Sequence, residues 1–243
     1  MKKPLISYRG TSISASRRDF IRKGSVFTLA GITGTSASGL TGCNPGKQEE
    51  EVSPPEDLMR EHGVLNRLLL VYDHFVVMLT LDQSINPQWV SDSAGIIRTF
   101  IEEYHEKLEE DYLFPRFEKK GKLTDLVKVL RVQHEQGRVV TDNILQLAKQ
   151  PAINSEDDKQ KLKMLFSSFI RMYRPHEARE DTVLFPALRD IISKNEFDSL
   201  GEDFEKQEHQ LFGEGGYKKF VEKVAGIEKQ LGIYDLAQFN PKR

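Results

Sequence analysis

Only one cysteine, Cys43, occurs in the 243 residues, so no internal disulfide can staple this chain even in an oxidising compartment. A structural zinc site built from several thiolates is excluded for the same reason. No stretch alternates polar and apolar residues long enough to demand a sheet. An excess of positive charge is also missing. The whole chain has 35 Lys and Arg against 37 Asp and Glu, and its first 42 residues hold seven of the bases but one acid, Asp19. The remainder carries 28 basic and 36 acidic residues, a net charge of −8. Such a body is a poor candidate for nucleic acid, whose affinity rests on cationic contacts to phosphate.

The first 42 residues stand apart. Lys2, Lys3 and Arg9 precede "SRRDFIR" (Ser16 to Arg22), and a mildly apolar run rich in Gly, Ser and Thr follows from Val26 to Leu40. That run is too short and too weak for a membrane-spanning helix. Paired arginines before it resemble a twin-arginine export signal, an address read by a receptor. The run ends at "LTGC" (Leu40 to Cys43), which is similar to a bacterial lipobox. The likeness implies cleavage before Cys43, lipidation of its thiol and a membrane-anchored protein on the periplasmic face of the inner membrane or beyond. An ordinary cleaved signal near "TSASG" is the alternative. We therefore read residues 1–42 as an export signal and 43–56 as a flexible tether, acidic and interrupted by prolines. Residues 57–192 form a helical domain, followed by a C-terminal helical extension over 193–243. Roughly 185 residues suffice for one sizeable core.

Within the domain the apolar spacing is helical. Leu58, His62, Leu65, Leu69, Tyr72, Val76 and Leu79 follow steps of four and three. So do Leu123, Val127, Leu130, His134, Gly137, Thr141, Ile144 and Ala148, and then Leu162, Phe166, Phe169, Tyr173, His176, Glu180 and Val183. A less regular set, Ile97, Ile101, Tyr104/His105, Leu108/Glu109 and Tyr112, lies between the first two. Breakers near Pro87, Gly121 and Pro151 separate four segments by short connections. This predicts an all-α fold, an up-down-up-down four-helix bundle with one or two extra C-terminal helices.

Polar residues on those apolar stripes carry the chemistry. "YHEKLEEDYLFPRF" and "PHEAREDTVLFPAL" share His-Glu-x-x-Glu-acidic-x-x-Leu-Phe-Pro, with histidines at 105 and 176. Each is preceded by a lone histidine on a stripe, His62 or His134, so the chain reads as two helix pairs built to one plan. Glu109 and Glu180 each follow a histidine by four residues, which stacks the two side chains on one helical face. A lone seam histidine is ordinarily a core residue bonded to a carbonyl, and a lone His-x-x-x-Glu a surface pair. Six such residues on inward stripes are another matter. Two buried glutamates without cations would cost several kcal/mol each or be forced to protonate. Divalent ions between them remove that cost. The motif is not the His-Glu-x-x-His of zinc proteases, and all-oxygen ligation does not fit four imidazoles. Mixed imidazole and carboxylate donors suit iron, ahead of manganese and zinc. Two carboxylates shared between two ions, each also held by two histidines, describe a carboxylate-bridged dinuclear centre.

From Leu58 to about Leu188 these residues resemble the hemerythrin-like (HHE cation-binding) domain. By that likeness His62, His105, His134 and His176 are terminal iron ligands, and Glu109 and Glu180 bridge two irons. The oxygen-carrying members have a fifth histidine one turn after the residue matching His134, and here that place is Arg138. The departure weighs against simple reversible oxygen carriage and leaves one iron with an emptier or water-filled coordination sphere. Glu106 is a candidate substitute ligand, although its side chain leaves the helix about 100° away from that of His105. His74 is set off the stripe, and His209 lies beyond the bundle. Tyr72, Tyr104 and Tyr173 are candidates for outer hydrogen bonds, with simple packing as the alternative. Pro115 and Pro186 are expected to bend or end their helices, and Pro175 to kink the fourth helix or mark its restart.

The functional expectation is an exported non-haem di-iron protein that takes a small diatomic or peroxide ligand: O2, nitric oxide or peroxide. The alternatives are iron storage or delivery, or a structural metal module without turnover; turnover and the redox partner stay open. The lipobox reading yields a direct expectation. One acyl chain binds membranes marginally while two or more hold firmly, so the mature protein should fractionate with membranes. Cys43→Ser should release it or leave it unprocessed, and wild-type protein found wholly soluble in the periplasm would refute the assignment.

Overall fold

The structure, a computed structural model, describes residues 52–150, 153 and 155–241. The segments read as an export signal and a lipobox, and most of that read as a tether, therefore lie outside the described residues. Among those described there are six helices and no strand. Helix α1 is Pro54–Thr80, so it starts three residues inside the segment read as a tether, with Pro54 in the first turn where a missing N–H costs nothing. Asn86 caps α2 by accepting from the Gln88 N–H. Helix α2 runs over residues 87–120 and changes pitch along its length. It is α-helical over Pro87–Ile96, π-helical over Ile97–His105, α-helical over Glu106–Leu108, π-helical again over Glu109–Leu113 and α-helical over Phe114–Lys120. Gly121, at φ 64°, ends it in the left-handed conformation that glycine adopts without strain. Helix α3 is Thr124–Ala148. Helix α4, over residues 156–188, is α-helical at Glu156–Arg179, π-helical at Glu180–Leu184 and α-helical at Phe185–Leu188. Helices α5 (Lys194–Phe212) and α6 (Gly216–Gln230) complete the set.

In the bundle, α1 packs against α4 and α2, and α3 packs against α2 and α4, which closes a ring of antiparallel neighbours. The stripe on α3 is buried at Val127, Leu130, His134, Gly137, Thr141, Ile144 and Ala148. On α4 the order shifts after Glu180: Val183 is only partly buried, and Leu184, Phe185 and Leu188 take the core. The cause is the π turn. Inserting one residue per turn rotates everything beyond it by about 100°. The same device explains the irregular spacing on α2, where Phe100, Ile101, Tyr104, His105, Leu108, Glu109, Leu113 and Phe114 are all buried.

The prolines do not end these helices. Pro115 and Pro186 fall in the first turn of the α-helical pieces that continue beyond them. A proline ring crowds the carbonyl four residues back, and the widened turns immediately upstream relieve that clash. Helix α4 likewise passes through Pro175 without a break. Helices α5 and α6 lie against α1 and α2, and their attachment is aromatic. Phe100 stacks on Phe220 at 4.4 Å between ring centroids, and Tyr104 meets Phe212 edge-on at 5.3 Å. Although α1 has the length and composition to cross a bilayer, its apolar face is spent inside the bundle, with Leu58, Leu65, Leu68, Leu69, Val71, Tyr72 and Phe75 buried.

Candidate metal centre

Helix α1 supplies His62, α2 supplies His105 and Glu109, α3 supplies His134, and α4 supplies His176 and Glu180. All six side chains are buried, and they meet in the core of the bundle. The imidazoles form two pairs. His62 Nε2 lies 3.0 Å from His105 Nε2, and His134 Nε2 lies 3.2 Å from His176 Nε2. Each glutamate reaches both pairs. Glu180 Oε2 is 3.4 Å from His62 Nε2 and 3.2 Å from His176 Nε2. Glu109 Oε2 is 3.4 Å from His134 Nε2 and 3.9 Å from His105 Nε2.

The outward nitrogens decide which atoms face inward. His62 Nδ1 donates to Asp181 at 2.7 Å and His105 Nδ1 to Glu61 at 2.7 Å. His134 Nδ1 donates to Glu110 at 3.1 Å and His176 Nδ1 to the amide oxygen of Gln133 at 2.9 Å. With an oxygen beside each outer nitrogen, the Nδ1–H tautomer satisfies all four contacts, and it turns the Nε2 lone pair of a neutral imidazole into the centre. Lone pairs aimed at each other across 3.0 to 3.2 Å repel unless a cation lies between them. Two nitrogens each about 2.1 Å from one ion, at a right angle, would stand about 3 Å apart. None of the four carboxylate oxygens of Glu109 and Glu180 finds a hydrogen-bond donor, in a core where such atoms are normally paired. The donor set therefore fits metal. Glu109, His134, His176 and Glu180 have ligand atoms within 4.8 Å of one another, as do His62, His105 and Glu109.

The electrostatics point the same way. Burial, then the charge of Glu180, push Glu109 well above the usual carboxylate range. Glu180 is held low despite its burial, because His176 and His62 face it. Burial opposes a charge on His62, yet Asp181 and Glu180 raise it to about 10. Burial and the neighbouring His176 depress His134 to about 4, although Glu110 pulls the other way. Burial also raises Glu61, Glu106 and Glu177 to about 8. In the metal-free chain protons take the part of cations, and a cation in the centre returns such carboxylates to their charged form.

Each letter of the doubled motif now has a physical meaning. After the histidine ligand and the glutamate that spans the pairs, the next acidic residue (Glu110 or Asp181) accepts from the lone histidine. The Phe stacks on that same ring, Phe114 on His134 and Phe185 on His62, each at 5.5 Å between centroids. Leu113 and Leu184 fill the core beside them. The π turns that start at the glutamates place the Leu and Phe that follow: Glu109 O accepts from Phe114 N–H and Glu180 O from Phe185 N–H, five residues on.

Sequence reasoning missed the outer acceptors Glu61 and Gln133. Their signal was a shared offset, each standing directly before a lone histidine. The place of the fifth histidine is filled rather than open. Arg138 Nη2 donates to Glu106 and to Glu110, both at 2.7 Å, and the Tyr173 hydroxyl donates to Glu106 at 2.6 Å. Glu106 thus turns toward Arg138 and Tyr173; its carboxylate, with Glu110 and His134, forms a third close group whose cation is the guanidinium. Neither His74, half-buried on α1, nor His209, exposed on α5, joins any of these groups.

Fold and site together define a four-helix-bundle metal-binding protein. The chain matches the hemerythrin HHE cation binding domain over residues 53–188. That is more than half of its length, and it belongs to this family. Membership implies a bound metal, and the mixed imidazole and carboxylate donors suit iron. Among curated proteins it is 49% identical over 222 residues to the uncharacterized protein Rv1995 of Mycobacterium tuberculosis and, equally, to the uncharacterized protein Mb2018 of Mycobacterium bovis. The alignments cover 88% of this chain and 87% of each relative, so the likeness extends beyond the matched domain. No solved structure matches significantly.

Gly137 offers a test of the outer network. A Cβ there would stand 2.0 Å from the Tyr173 hydroxyl and 2.9 Å from its Cζ. Gly137→Ala should therefore push Tyr173 off Glu106 and destabilise the metal-free protein by about 1–3 kcal/mol, the usual cost of overpacking. Adding Tyr173→Phe, which deletes the clashing oxygen, should recover part of the loss in thermal melts. An unchanged melting temperature in Gly137→Ala would contradict the packing described.

Proposed function

We propose that this is an exported, lipid-anchored non-haem di-iron protein that binds or reacts with O2 or a related small oxidant such as peroxide or nitric oxide. The observation that carries the reading is the double pairing of Nε2 atoms at 3.0 and 3.2 Å, with Glu109 and Glu180 each reaching both pairs. His62 and His105 would hold one ion and His134 and His176 the other, with both glutamates between them. Two such irons, when bound, supply electrons to a small oxidant ligand. The protein's part is positional. Asp181, Glu61, Glu110 and Gln133 orient the imidazoles, and Phe114 and Phe185 keep bulk water from the ligand rings. Arg138 and Tyr173 hold Glu106 beside the second pair. Burial of all six ligands, none more than 4% exposed, disfavours rapid release of iron and so favours reaction over delivery. Export rests on the paired arginines at 17 and 18, and anchoring on Cys43.

Two measurements test this. Protein made in iron-replete medium should hold close to two irons per chain by elemental analysis. Glu109→Ala and Glu180→Ala should each lower occupancy at both positions, while His74→Ala leaves it unchanged. The metal-free form should melt at a lower temperature, since binding at a site absent from the unfolded chain adds to stability. If both glutamate variants keep two metals at wild-type affinity, the bridging assignment fails.

Reactivity is read separately, from optical spectra of anaerobically reduced protein before and after O2. A reversible change indicates binding and an irreversible one oxidation chemistry. Unchanged spectra would leave a structural metal instead.

A further inference from the structure

The centre has an approximate twofold relation between its halves. His62 answers to His134, His105 to His176, Asp181 to Glu110 and Glu177 to Glu106. Two outer positions break the relation in charge, beside the Tyr173 hydroxyl that Glu106 receives and Glu177 does not. His105 donates to the carboxylate of Glu61, whereas His176 donates to the neutral amide of Gln133. Glu177 is held by the neutral side chain of Asn66, whereas Glu106 is held by the guanidinium of Arg138. Asn66 and Arg138 occupy equivalent places, each four residues after a lone histidine. Both differences have the same sign. A carboxylate on the outer N–H makes an imidazole a stronger donor than an amide does. A guanidinium, which never loses its charge in proteins, repels any second cation nearby.

More remote charges do not cancel this: buried Glu102, which acts on Arg138 on the second side, is paired with Arg98. On the first side Arg60 acts on Glu61, and on the second Lys107 pairs with Glu110; both cations are largely exposed, at 41% and 47%. They offset one another. Glu208, brought up by α5, adds negative potential at Glu61. The second side also has Arg131, but it is spent on Glu118 and on the Glu110 carbonyl.

We propose that the two metal positions are unequal, the His62/His105 position binding divalent ions more tightly than the His134/His176 position, with Glu61 and Arg138 as the positioning residues that set the difference. The inference rests on the two-metal reading. The ligand pattern alone does not reveal it, because the two halves match at the ligands and differ in charge at the outer pairs Glu61/Gln133 and Asn66/Arg138.

The test is a titration of the metal-free full-length protein with Co2+ in the absence of oxygen, followed by calorimetry and by the visible absorption of the bound ion. Wild type should bind two ions in two steps separated by about tenfold or more in Kd. His176→Ala should keep the tighter step and His105→Ala the weaker one. Gln133→Glu combined with Arg138→Asn gives the second half the outer charges of the first, and should tighten the weaker step towards the stronger one. Glu61→Gln, which preserves shape and an acceptor oxygen, should weaken the first step by about tenfold, with helicity checked by circular dichroism. Two ions bound with equal affinity by wild type, or a spacing that these outer variants do not move, overturns the inequality and leaves the two-metal reading standing. Binding of one ion or none overturns both.

Discussion

Two carboxylates and four imidazole Nε2 atoms face one another in a core that water does not reach, and the rest of this structure is organised around that conflict. Removed from water, such groups must be neutralised, protonated or coordinated. The metal-free chain uses protons: Glu109 is driven up, Glu180 is kept charged by the histidines beside it, and His62 holds a proton between two acids. Divalent ions satisfy the same atoms at once. Metal binding therefore adds to bundle stability, because the site exists only when four helices are assembled.

The outer residues make the assembly indivisible. Glu110 on α2 fixes His134 on α3, and Asp181 on α4 fixes His62 on α1. Glu61 on α1 fixes His105 on α2, and Gln133 on α3 fixes His176 on α4. Around the ring of helices, every ligand imidazole is oriented by a neighbour rather than by its own helix. Phe114 and Phe185 follow the same rule, each stacking on a ring from the adjacent helix. This cross-bracing gives a reason for repeating the motif: each copy supplies one glutamate that reaches both imidazole pairs and one orienting acid to the histidine of the adjacent helix.

Arg138 is where this chain departs from the oxygen-carrying members of its family. Its guanidinium ties Glu106 to Glu110, and Tyr173 closes the network because Gly137 leaves it room. At that place stands a fixed positive charge, held by two carboxylates. The two halves of the centre consequently share a ligand pattern but not an electrostatic environment.

The sequence by itself determined the helical class, the inward stripes and the six candidate ligands, because helical periodicity and a four-residue His-Glu spacing are local properties of the chain. On α3 the expected stripe is the buried face from Val127 onward, residue for residue. It did not determine the path of α2 and α4 beyond their glutamates. There π turns rotate the later residues, bringing Leu184 and Phe185 inward in place of Val183, and Pro115 and Pro186, expected to bend or end their helices, sit within helices that continue. Nor did it determine what fills the place of the fifth histidine. Glu106 leaves its helix well away from His105, and only the approach of α3 and α4 shows that Arg138 and Tyr173 meet it there. Local spacing fixes which face of a helix a residue occupies; which charge it meets across the core depends on helices far apart in sequence, and that was decided by the packing.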